Sequence, residues 1–496
     1  MSHSFPIKLQ GLMTLALCVL AVSLGCGEPA APPEARTKLE ECAPNEGPMD
    51  ALCTTVEVFE NREAVQGRTI DLNVVVFPAF NRNPEPDPLF VLAGGPGQAA
   101  ARISGQLMTV LEKVQQDRDV VFVDQRGTGK SNGLACDLGD DSLDDVSRTE
   151  FPVEKVEKCL TSYDADPRYY TTPIAMDDLN HVRETLGYDK INLWGGSYGT
   201  RAALVYVRRH GGSVRSVVLD GVAPPPMRLP VAFPRDAHRA LDLMLQACEA
   251  DAACDGRFPK IRGRLTELLD RLERNPPRVK LQHPRTGVET EVTVRRQFVV
   301  GVMMGALYSP DLSALLPLLI ERAEAGDFQG FLGMGGMGEG VEQEMSRGMF
   351  FSVICSEDLP AITPQEAAEK AKGTFMGTLV YEAWGKACAV WPRGEIAPDY
   401  HEPVTSDLPV LILSGEFDPV TPPSWGDEAA ATLPNSRHVV VPGVGHGTTA
   451  IGCVPKLVAE FIDAGSAGGI DASCVEKHKR PPFFLTNAGP APEGAK

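Results

Sequence analysis

The sequence predicts an α/β protein whose mostly parallel β-sheet is flanked by helices and carries an inserted helical cap. Apolar runs rich in Val, Ile, Leu and Phe alternate with helical patterns, which is typical of a parallel sheet covered on both faces. Between Pro224 and about Phe350 the strand signal fades into helical stretches. The 496 residues exceed one simple core, and 43% hydrophobic content is ample for a packed interior, so we expect a large domain with a substantial insertion.

Short apolar runs are expected to form the sheet. An opening hairpin is predicted at Thr54–Glu60 and Arg68–Phe77, with core strands at Leu89–Leu92, Val120–Val123, Ile191–Leu193, Val217–Leu219, Val410–Leu413 and His438–Val441. Helical periodicity marks Ala237–Ala250 and Ile261–Asn275 in the cap. The predicted divisions are residues 51–224 and 351–480 for the core, 225–350 for the cap and 481–496 for a flexible tail. The Gly- and Met-rich segment Gly326–Gly340 is either a mobile loop over a cleft or an exposed linker without a role.

The N-terminus predicts export. The apolar run Gly11–Leu24 is too short for a permanent membrane span and indicates a signal peptide over residues 1–25. It ends in Ser-Leu-Gly-Cys, which resembles a bacterial lipobox with Cys26 as the lipidated residue, although Ser23 stands where leucine is usual. Residues 26–50 would then be a tether to the cell envelope. Plain secretion, with Cys26 as an ordinary cysteine of the signal, is the alternative.

Cysteine usage agrees with an oxidising compartment. Setting aside Cys18 and Cys26 at the N-terminus leaves ten of the 12 cysteines. None of the ten forms a C-x-x-C motif or is interleaved with histidines at ligand spacing, so disulfides are favoured over zinc. We predict pairing between sequence neighbours: Cys42 with Cys53, Cys136 with Cys159, Cys248 with Cys254, Cys355 with Cys388 and Cys453 with Cys474.

A net charge of −19 at pH 7 argues against partners that are themselves anionic. We therefore expect no nucleic acid, and contact with a membrane only through a lipid anchor. The acidic surface is interpreted as a solvated exterior rather than as a funnel for cationic substrates. The oligomeric state is not predicted.

The segment from Ile191 to Thr200 predicts a buried strand that breaks into a sharp turn with Ser197 at its apex. Gly195 and Gly199 leave room for a strained turn and for the close approach of the next helix, in the G-x-S-x-G pattern of a nucleophile elbow. In a chain with 48 glycines this pattern needs support from its context. An apolar strand precedes it and an amphipathic helical pattern, Arg201–His210, follows.

Two later loops contain a candidate acid and a candidate base. Asp418 lies just past the strand predicted at Val410–Leu413, and His446 lies in a Gly-rich loop past the next strand. A serine hydroxyl is a poor nucleophile at neutral pH, so it needs an imidazole as base and a carboxylate to hold the imidazole in the right tautomer. The order Ser197, Asp418, His446 is that of the α/β-hydrolases. A loop histidine without a role is the alternative.

An early glycine-rich loop offers bare backbone N–H groups for an oxyanion. Gly94 and Gly95 are the candidates there, with the N–H of Tyr198 as a further donor. A merely tight turn is the competing interpretation. The later segment Asp124–Ser131 ends like a phosphate-binding loop, but Asp124 stands where that motif requires glycine, so we reject a nucleotide site.

Four motifs, G-G-P-G, D-Q-R-G-x-G-x-S, G-G-S-Y-G-T and G-E-x-D-P-V-T-P, resemble in order and spacing those of the proline iminopeptidase and tripeptidyl aminopeptidase group of α/β-hydrolases. The resemblance covers nearly the whole mature chain and is greatest to the secreted bacterial tripeptidyl-aminopeptidase-like branch. It implies an α/β-hydrolase fold and triad roles for Ser197, Asp418 and His446. Proline iminopeptidases usually have histidine where this chain has Ala93, which weakens the implication that the substrate residue is proline.

The resemblance also implies an acidic site for the substrate's α-amino group. In that group, acidic residues of the cap or its edge bind the amine. Glu357 is the first candidate and Asp358 the second, because both follow the cap near a predicted disulfide. The alternative is that both are structural acids on an exposed loop.

We therefore expect an exported serine hydrolase that acts through an acyl-enzyme and releases residues or short peptides from unblocked peptide N-termini. A carboxylesterase of the same fold is the alternative, because the cap decides which peptide or ester substrate enters. An exported binding lipoprotein without turnover is the third hypothesis. The expected chemistry needs no metal or organic cofactor.

Overall fold

A nine-stranded sheet forms the centre of the computed structural model, which describes residues 39–43, 50–138, 142–335 and 345–490. The strands are β1 (Glu40–Cys42), β2 (Ala51–Phe59), β3 (Thr69–Phe77), β4 (Leu89–Leu92), β5 (Val120–Val123), β6 (Ile191–Gly196), β7 (Val214–Asp220), β10 (Val410–Gly415) and β11 (Ser436–Val441), with β8 (Arg278–Gln282) and β9 (Glu289–Thr293) in a separate sheet. The spatial order is β1-β2-β3-β5-β4-β6-β7-β10-β11. Pairing is antiparallel from β1 to β5 and parallel from β5 to β11. The predicted mostly parallel sheet is thus confirmed, and each predicted strand overlaps an observed one.

Helices cover the sheet and fill the insertion. They are α1 (Ala100–Gln115), α2 (Ser142–Ser147), α3 (Val153–Ser162), α4 (Thr172–Thr185), α5 (Tyr198–His210), α6 (Phe233–Ala250), α7 (Ala252–Arg257), α8 (Ile261–Arg274), α9 (Arg296–Leu307), α10 (Pro310–Ser313), α11 (Leu316–Glu324), α12 (Arg347–Val353), α13 (Pro364–Ala371), α14 (Leu379–Val390), α15 (Pro423–Ala430) and α16 (Val454–Ala464). Residues 329–335 are also helical. Within the described ranges, none of the helices combines the length and apolar character needed to cross a membrane.

The insertion lies between β7 and β10, which pair in parallel although residues 221–409 separate them. It has an apolar core of its own, in which Leu241, Met303 and Phe328 are buried. Helices continue past residue 350, and α12 already contributes the buried Met349 and Val353 to the core beside the sheet. The sequence predicted only helices over 225–350. It missed the β8–β9 hairpin, since its strands bury little beyond Leu281 and Val292 and are otherwise mostly charged or polar.

The C-terminal segment corrects a prediction. We expected a flexible tail from residue 481, but Phe483 is buried among the helices of the insertion and the Phe484 N–H donates to the Ala314 carbonyl at 3.1 Å. The Arg480 guanidinium lies 3.9 Å from the ring centre of Phe483. The two phenylalanines therefore anchor this segment to the insertion, although its composition is typical of a flexible tail. The signal peptide, Cys26, most of the tether, residues 336–340 of the glycine-rich segment and residues 491–496 lie outside the described residues.

Five disulfides close short loops of the chain. They join the same sequence neighbours that the cysteine spacing predicts: Cys42–Cys53, Cys136–Cys159, Cys248–Cys254, Cys355–Cys388 and Cys453–Cys474. The Cys355–Cys388 bond ties α14 to the π-helical turn Ile354–Asp358, which directly follows α12. This turn reaches the helix that follows Ser197 through the ion pair between Asp358 and Arg201.

Candidate active site

Ser197 is the single residue between β6 and α5. Its φ of 56° and ψ of −125° are unusual for a residue with a side chain, as expected for a strained strand-to-helix turn. The Ser197 N–H donates to the Asp220 carbonyl at 2.8 Å, which fixes the turn against the end of β7. A Cβ on Gly199 would lie 2.1 Å from the Leu92 carbonyl oxygen, and one on Gly195 would lie 2.4 Å from the Gly199 carbonyl oxygen. Both flanking glycines are therefore required sterically.

Asp418 and His446 form a direct pair beyond β10 and β11. The imidazole Nδ1 lies 2.7 Å from Asp418 Oδ2. The other carboxylate oxygen accepts from the N–H groups of Val420 and Thr421 at 2.9 and 2.8 Å, and the Thr421 hydroxyl donates to Oδ2 at 2.7 Å. These donors fix the orientation of the carboxylate, so the Nδ1 of His446 carries the proton in the neutral imidazole and Nε2 is left as the base.

Asp418 and His446 each stabilise the charged form of the other. Burial tends to raise the pKa of Asp418, but the charge of His446 and the hydrogen bonds keep that pKa below its ordinary value. Burial tends to lower the pKa of His446, but the Asp418 carboxylate raises it above the ordinary value. The pair therefore stabilises the imidazolium that forms when His446 takes a proton.

Asp220 connects the serine turn to the histidine loop. Its carboxylate is buried and accepts from the backbone N–H and the hydroxyl of both Thr448 and Thr449, at 2.7 to 2.9 Å. The next residue, Gly221, lies against the imidazole, because a Cβ there would be 3.1 Å from Cε1 of His446. The end of β7 thus contacts both the serine turn and the histidine loop.

Sequence reasoning missed Asp220, Thr421 and Tyr308. An acidic residue closing the apolar run at Val217–Leu219 could have indicated Asp220. Tyr308 comes from the end of α9 in the insertion: its carbonyl accepts the His446 N–H at 2.9 Å, and its ring packs edge-on at 5.1 Å between ring centres. No local pattern predicts that contact, since the two residues lie far apart in the chain.

The early glycine loop lies beside the serine. A Cβ on Gly94 would be 3.1 Å from the Cβ of Ser197. The Gly94 N–H donates to the side-chain Oε1 of Gln98 at 3.3 Å. The Ser346 N–H donates to the Gly97 carbonyl at 2.9 Å, which joins this loop to the start of α12. The structure therefore brings the predicted oxyanion loop, with Gly94 and Gly95, to the same turn as Ser197 and Tyr198.

Glu357 and Asp358 do not face a cleft. Glu357 is 2% exposed and accepts from the N–H and hydroxyl of Thr172, at 2.5 and 2.8 Å, and from the Tyr400 hydroxyl. Asp358 is 0% exposed and forms a two-pronged ion pair with Arg201 at 2.9 and 2.7 Å. We therefore withdraw the interpretation of these carboxyls as ligands of a substrate amine, because internal donors already use them. No local pattern indicates that these carboxyls are buried, since their partners are distant in the chain.

Both carboxyls instead hold the helix that follows Ser197. Tyr198, in the first turn of α5, places its hydroxyl 2.5 Å from the Thr172 hydroxyl, which in turn donates to Glu357. Arg201 lies in the same first turns and pairs with Asp358. Burial raises the pKa of Glu357 to about 7, which the hydrogen bonds from Tyr400 and Thr172 only partly offset.

The D-Q-R-G segment is structural. Arg126 is fully buried and donates to both oxygens of Asp178 and to the carbonyls of Phe59, Glu60 and Tyr169. Its guanidinium therefore fixes the loop after β5 against the opening hairpin. Among the described residues, no group of three or more His, Cys, Asp or Glu side chains is arranged to hold a metal ion.

Comparison with known proteins identifies two sequence families in the chain. The family described as "alpha/beta hydrolase fold" matches residues 87–253, and the family described as "TAP-like protein" matches residues 361–474. The first match contains Ser197, and the second contains Asp418 and His446.

Three of the similar proteins are peptidases by name. The "Serine protease Hip1" of Mycobacterium tuberculosis is 24% identical over 86% of this chain and 88% of its own length. The "Tripeptidyl aminopeptidase" of Streptomyces coelicolor is 23% identical over 88% of this chain and 85% of its own. The "Probable proline iminopeptidase" of the same organism is 32% identical over 28% of this chain and 34% of its own. These matches confirm the resemblance that the four motifs predict.

Proposed function

On the premise that this chain is an α/β-hydrolase related to serine peptidases, we propose that Ser197, His446 and Asp418 are its catalytic triad and that it cleaves residues or short peptides from unblocked peptide N-termini. The observation that carries the proposal is the strained Ser197 turn beside an oriented Asp418–His446 pair. A strained turn of this kind exposes a nucleophile, and the pair supplies its base.

The reaction follows from these positions. The Nε2 of His446 takes the Ser197 hydroxyl proton as the oxygen attacks the scissile carbonyl, and the imidazolium is stabilised by Asp418. The developing oxyanion is bound by backbone N–H groups of Gly94, Gly95 and Tyr198. His446 then returns the proton to the leaving amine, and water, activated by the same imidazole, hydrolyses the acyl-enzyme.

The preference for a peptide with a free N-terminus is supported by the names of two relatives, a tripeptidyl aminopeptidase and a proline iminopeptidase. The experiment is a panel of chromogenic amides of one to three residues, with free and acetylated N-termini, and a short-chain ester. Wild type is compared with Ser197→Ala, for which we expect a loss of at least about 10⁴-fold in kcat.

Three outcomes separate the hypotheses. Cleavage confined to free-amine peptides and lost in Ser197→Ala supports an aminopeptidase. Cleavage of the ester alone identifies a carboxylesterase, and silence on every substrate favours a binding lipoprotein.

We also propose that the protein is exported and anchored through Cys26. The apolar run Gly11–Leu24 and the five disulfides, which persist in oxidising compartments, support this location. The test is detergent phase separation of whole-cell extracts. Wild type should partition into the detergent phase, and Cys26→Ser should partition into the aqueous phase. Aqueous partition of both would indicate plain secretion, and recovery from the cytosol with free thiols would contradict export.

A further inference from the structure

The side chain of Gln98 occupies a position at the nucleophile that the triad does not use. The point that a Cβ on Gly94 would take is 3.1 Å from the Cβ of Ser197 and 3.6 Å from the Oε1 of Gln98. The serine side chain and the glutamine amide therefore lie on the same side of Gly94. Gln98 is half-buried, so its amide keeps some access to solvent beside Gly94.

The backbone of Gln98 is held by two contacts, whereas its side-chain amide is held by the single hydrogen bond from Gly94. The backbone N–H of Gln98 donates to the Gly94 carbonyl at 3.3 Å, and the residue forms an antiparallel bridge with Met345. The bond that carries a terminal amide has a broad, roughly two-fold torsional preference. A half-turn about that bond exchanges the carbonyl oxygen for the NH₂ group at nearly the same place.

The observed contact is the one that an oxyanion would replace. Oε1 of Gln98 accepts the N–H of Gly94, which is a proposed oxyanion donor. A carbonyl oxygen that gains negative charge there would be repelled by Oε1 and attracted by the N–H groups of the amide. The resting hydrogen bond must therefore break when the oxyanion forms, and this frees the Gly94 N–H to donate to it.

We propose that Gln98 is a further catalytic residue, whose side-chain amide turns on substrate binding and donates an N–H to the oxyanion beside the backbone donors. The inference rests on the proposed function, because it takes Ser197 as the nucleophile. The interaction forms with developing charge, so it acts on the rate of acylation more than on ground-state binding.

The test is Gln98→Met, which keeps the length of the side chain and removes both donor and acceptor. We expect kcat to fall about 100-fold, with KM changed less than about threefold, as for loss of one oxyanion donor. Gln106→Met is the matched control, because Gln106 is exposed on α1. A peptide aldehyde, which forms a tetrahedral adduct with the serine, should lose affinity in Gln98→Met by a factor similar to the loss in kcat/KM.

End-point labelling of Ser197 by a fluorophosphonate counts folded, competent enzyme and corrects kcat for misfolded protein. If Gln98→Met does not label to completion, Gln98→Glu replaces it; this variant keeps the acceptor for Gly94 and adds a charge that repels the oxyanion, so a larger loss is expected. Unchanged or increased kcat in the labelled variant would overturn the role of Gln98 and leave the triad standing. Full activity of Ser197→Ala would instead overturn the proposed function.

Discussion

Asp418 and Glu357 are two buried carboxyl groups, each linked to the serine turn, and their pKa values move in opposite directions. Burial raises the pKa of both. Asp418 lies against an imidazole that becomes cationic, and its pKa ends below the ordinary value. Glu357 lies against two hydroxyls and an amide, and its pKa rises to about 7. Both groups are buried, so the difference between these two carboxyls comes from their partners, of which only the imidazole can carry positive charge.

The largest effect should come from Asp418→Asn, which removes the charge and nearly preserves the shape. We expect kcat to fall by about 10³- to 10⁴-fold, because the amide no longer stabilises the imidazolium or the correct tautomer. Steady-state kinetics on the best substrate measures it. The chain offers a matched control in Asp427, an exposed carboxylate 2.9 Å from the Nδ1 of His438. Asp427→Asn should leave kcat unchanged, and an equal loss in both variants would contradict a special role for Asp418.

A smaller effect is expected from Thr421→Val. The hydroxyl of Thr421 donates to Asp418 and lies 3.1 Å from the Nδ1 of His446, so its loss loosens the pair without removing charge. We expect kcat/KM to fall about tenfold, in line with the worth of one hydrogen bond to a charged group. Thr161→Val, on the exposed side of α3, is the control. Wild-type kinetics in Thr421→Val would show that the backbone donors alone orient the carboxylate.

The pH dependence of activity tests the pairing of His446 with an ionised Asp418. Only neutral His446 can act as base, and its pKa is raised above the ordinary 6.5. Activity should therefore be full at alkaline pH and fall as pH decreases through that raised value, tenfold for each further unit. The measurement is kcat/KM between pH 5 and pH 9. An acid limb with its midpoint below 6.5 would refute the pairing with an ionised Asp418.

The smallest effect on activity is expected from Glu357→Gln, since the amide imitates the protonated acid. Because the folded-state pKa of Glu357 is raised, protonation favours the folded protein; its contribution is complete below the unfolded pKa and is lost as pH rises through about 7. Wild type should thus lose on the order of 3 kcal/mol from this group between pH 4 and pH 8.

Chemical denaturation at pH 5 and pH 8 measures this term. From pH 5 to pH 8, the unfolding free energy of wild type should fall relative to that of Glu357→Gln. The kcat of the variant should stay within about threefold of the wild-type value. Parallel pH dependence in the two proteins would show that Glu357 is ionised throughout.

Features with a local signature could be predicted from sequence. The strands are short apolar runs, the Ser197 turn has its two glycines, and Asp418 and His446 each follow a strand. Parallel strands bring their carboxyl ends to one edge, so these residues could be placed together without knowing any contact.

Features that depend on partners distant in the chain could not be predicted from the sequence. Glu357 meets Thr172, 185 positions away, and no pattern around either residue indicates this. Without the partner, a glutamate after a helical stretch looks exposed and available to a substrate amine. Tyr308 and Phe483 were missed for the same reason, because each acquires its role from residues brought near by the insertion.

The pairing of β7 with β10 across residues 221–409 has a consequence for how the protein folds. Closing so long a loop is slow, because the chain loses conformational entropy before the contacts between the two strands stabilise the closed loop. The Ser197 turn can form with β6 and β7, whereas Asp418 and His446 arrive only with β10 and β11. During refolding with the disulfides intact, hydrolytic activity should therefore return after most of the helical signal, as the last event of assembly.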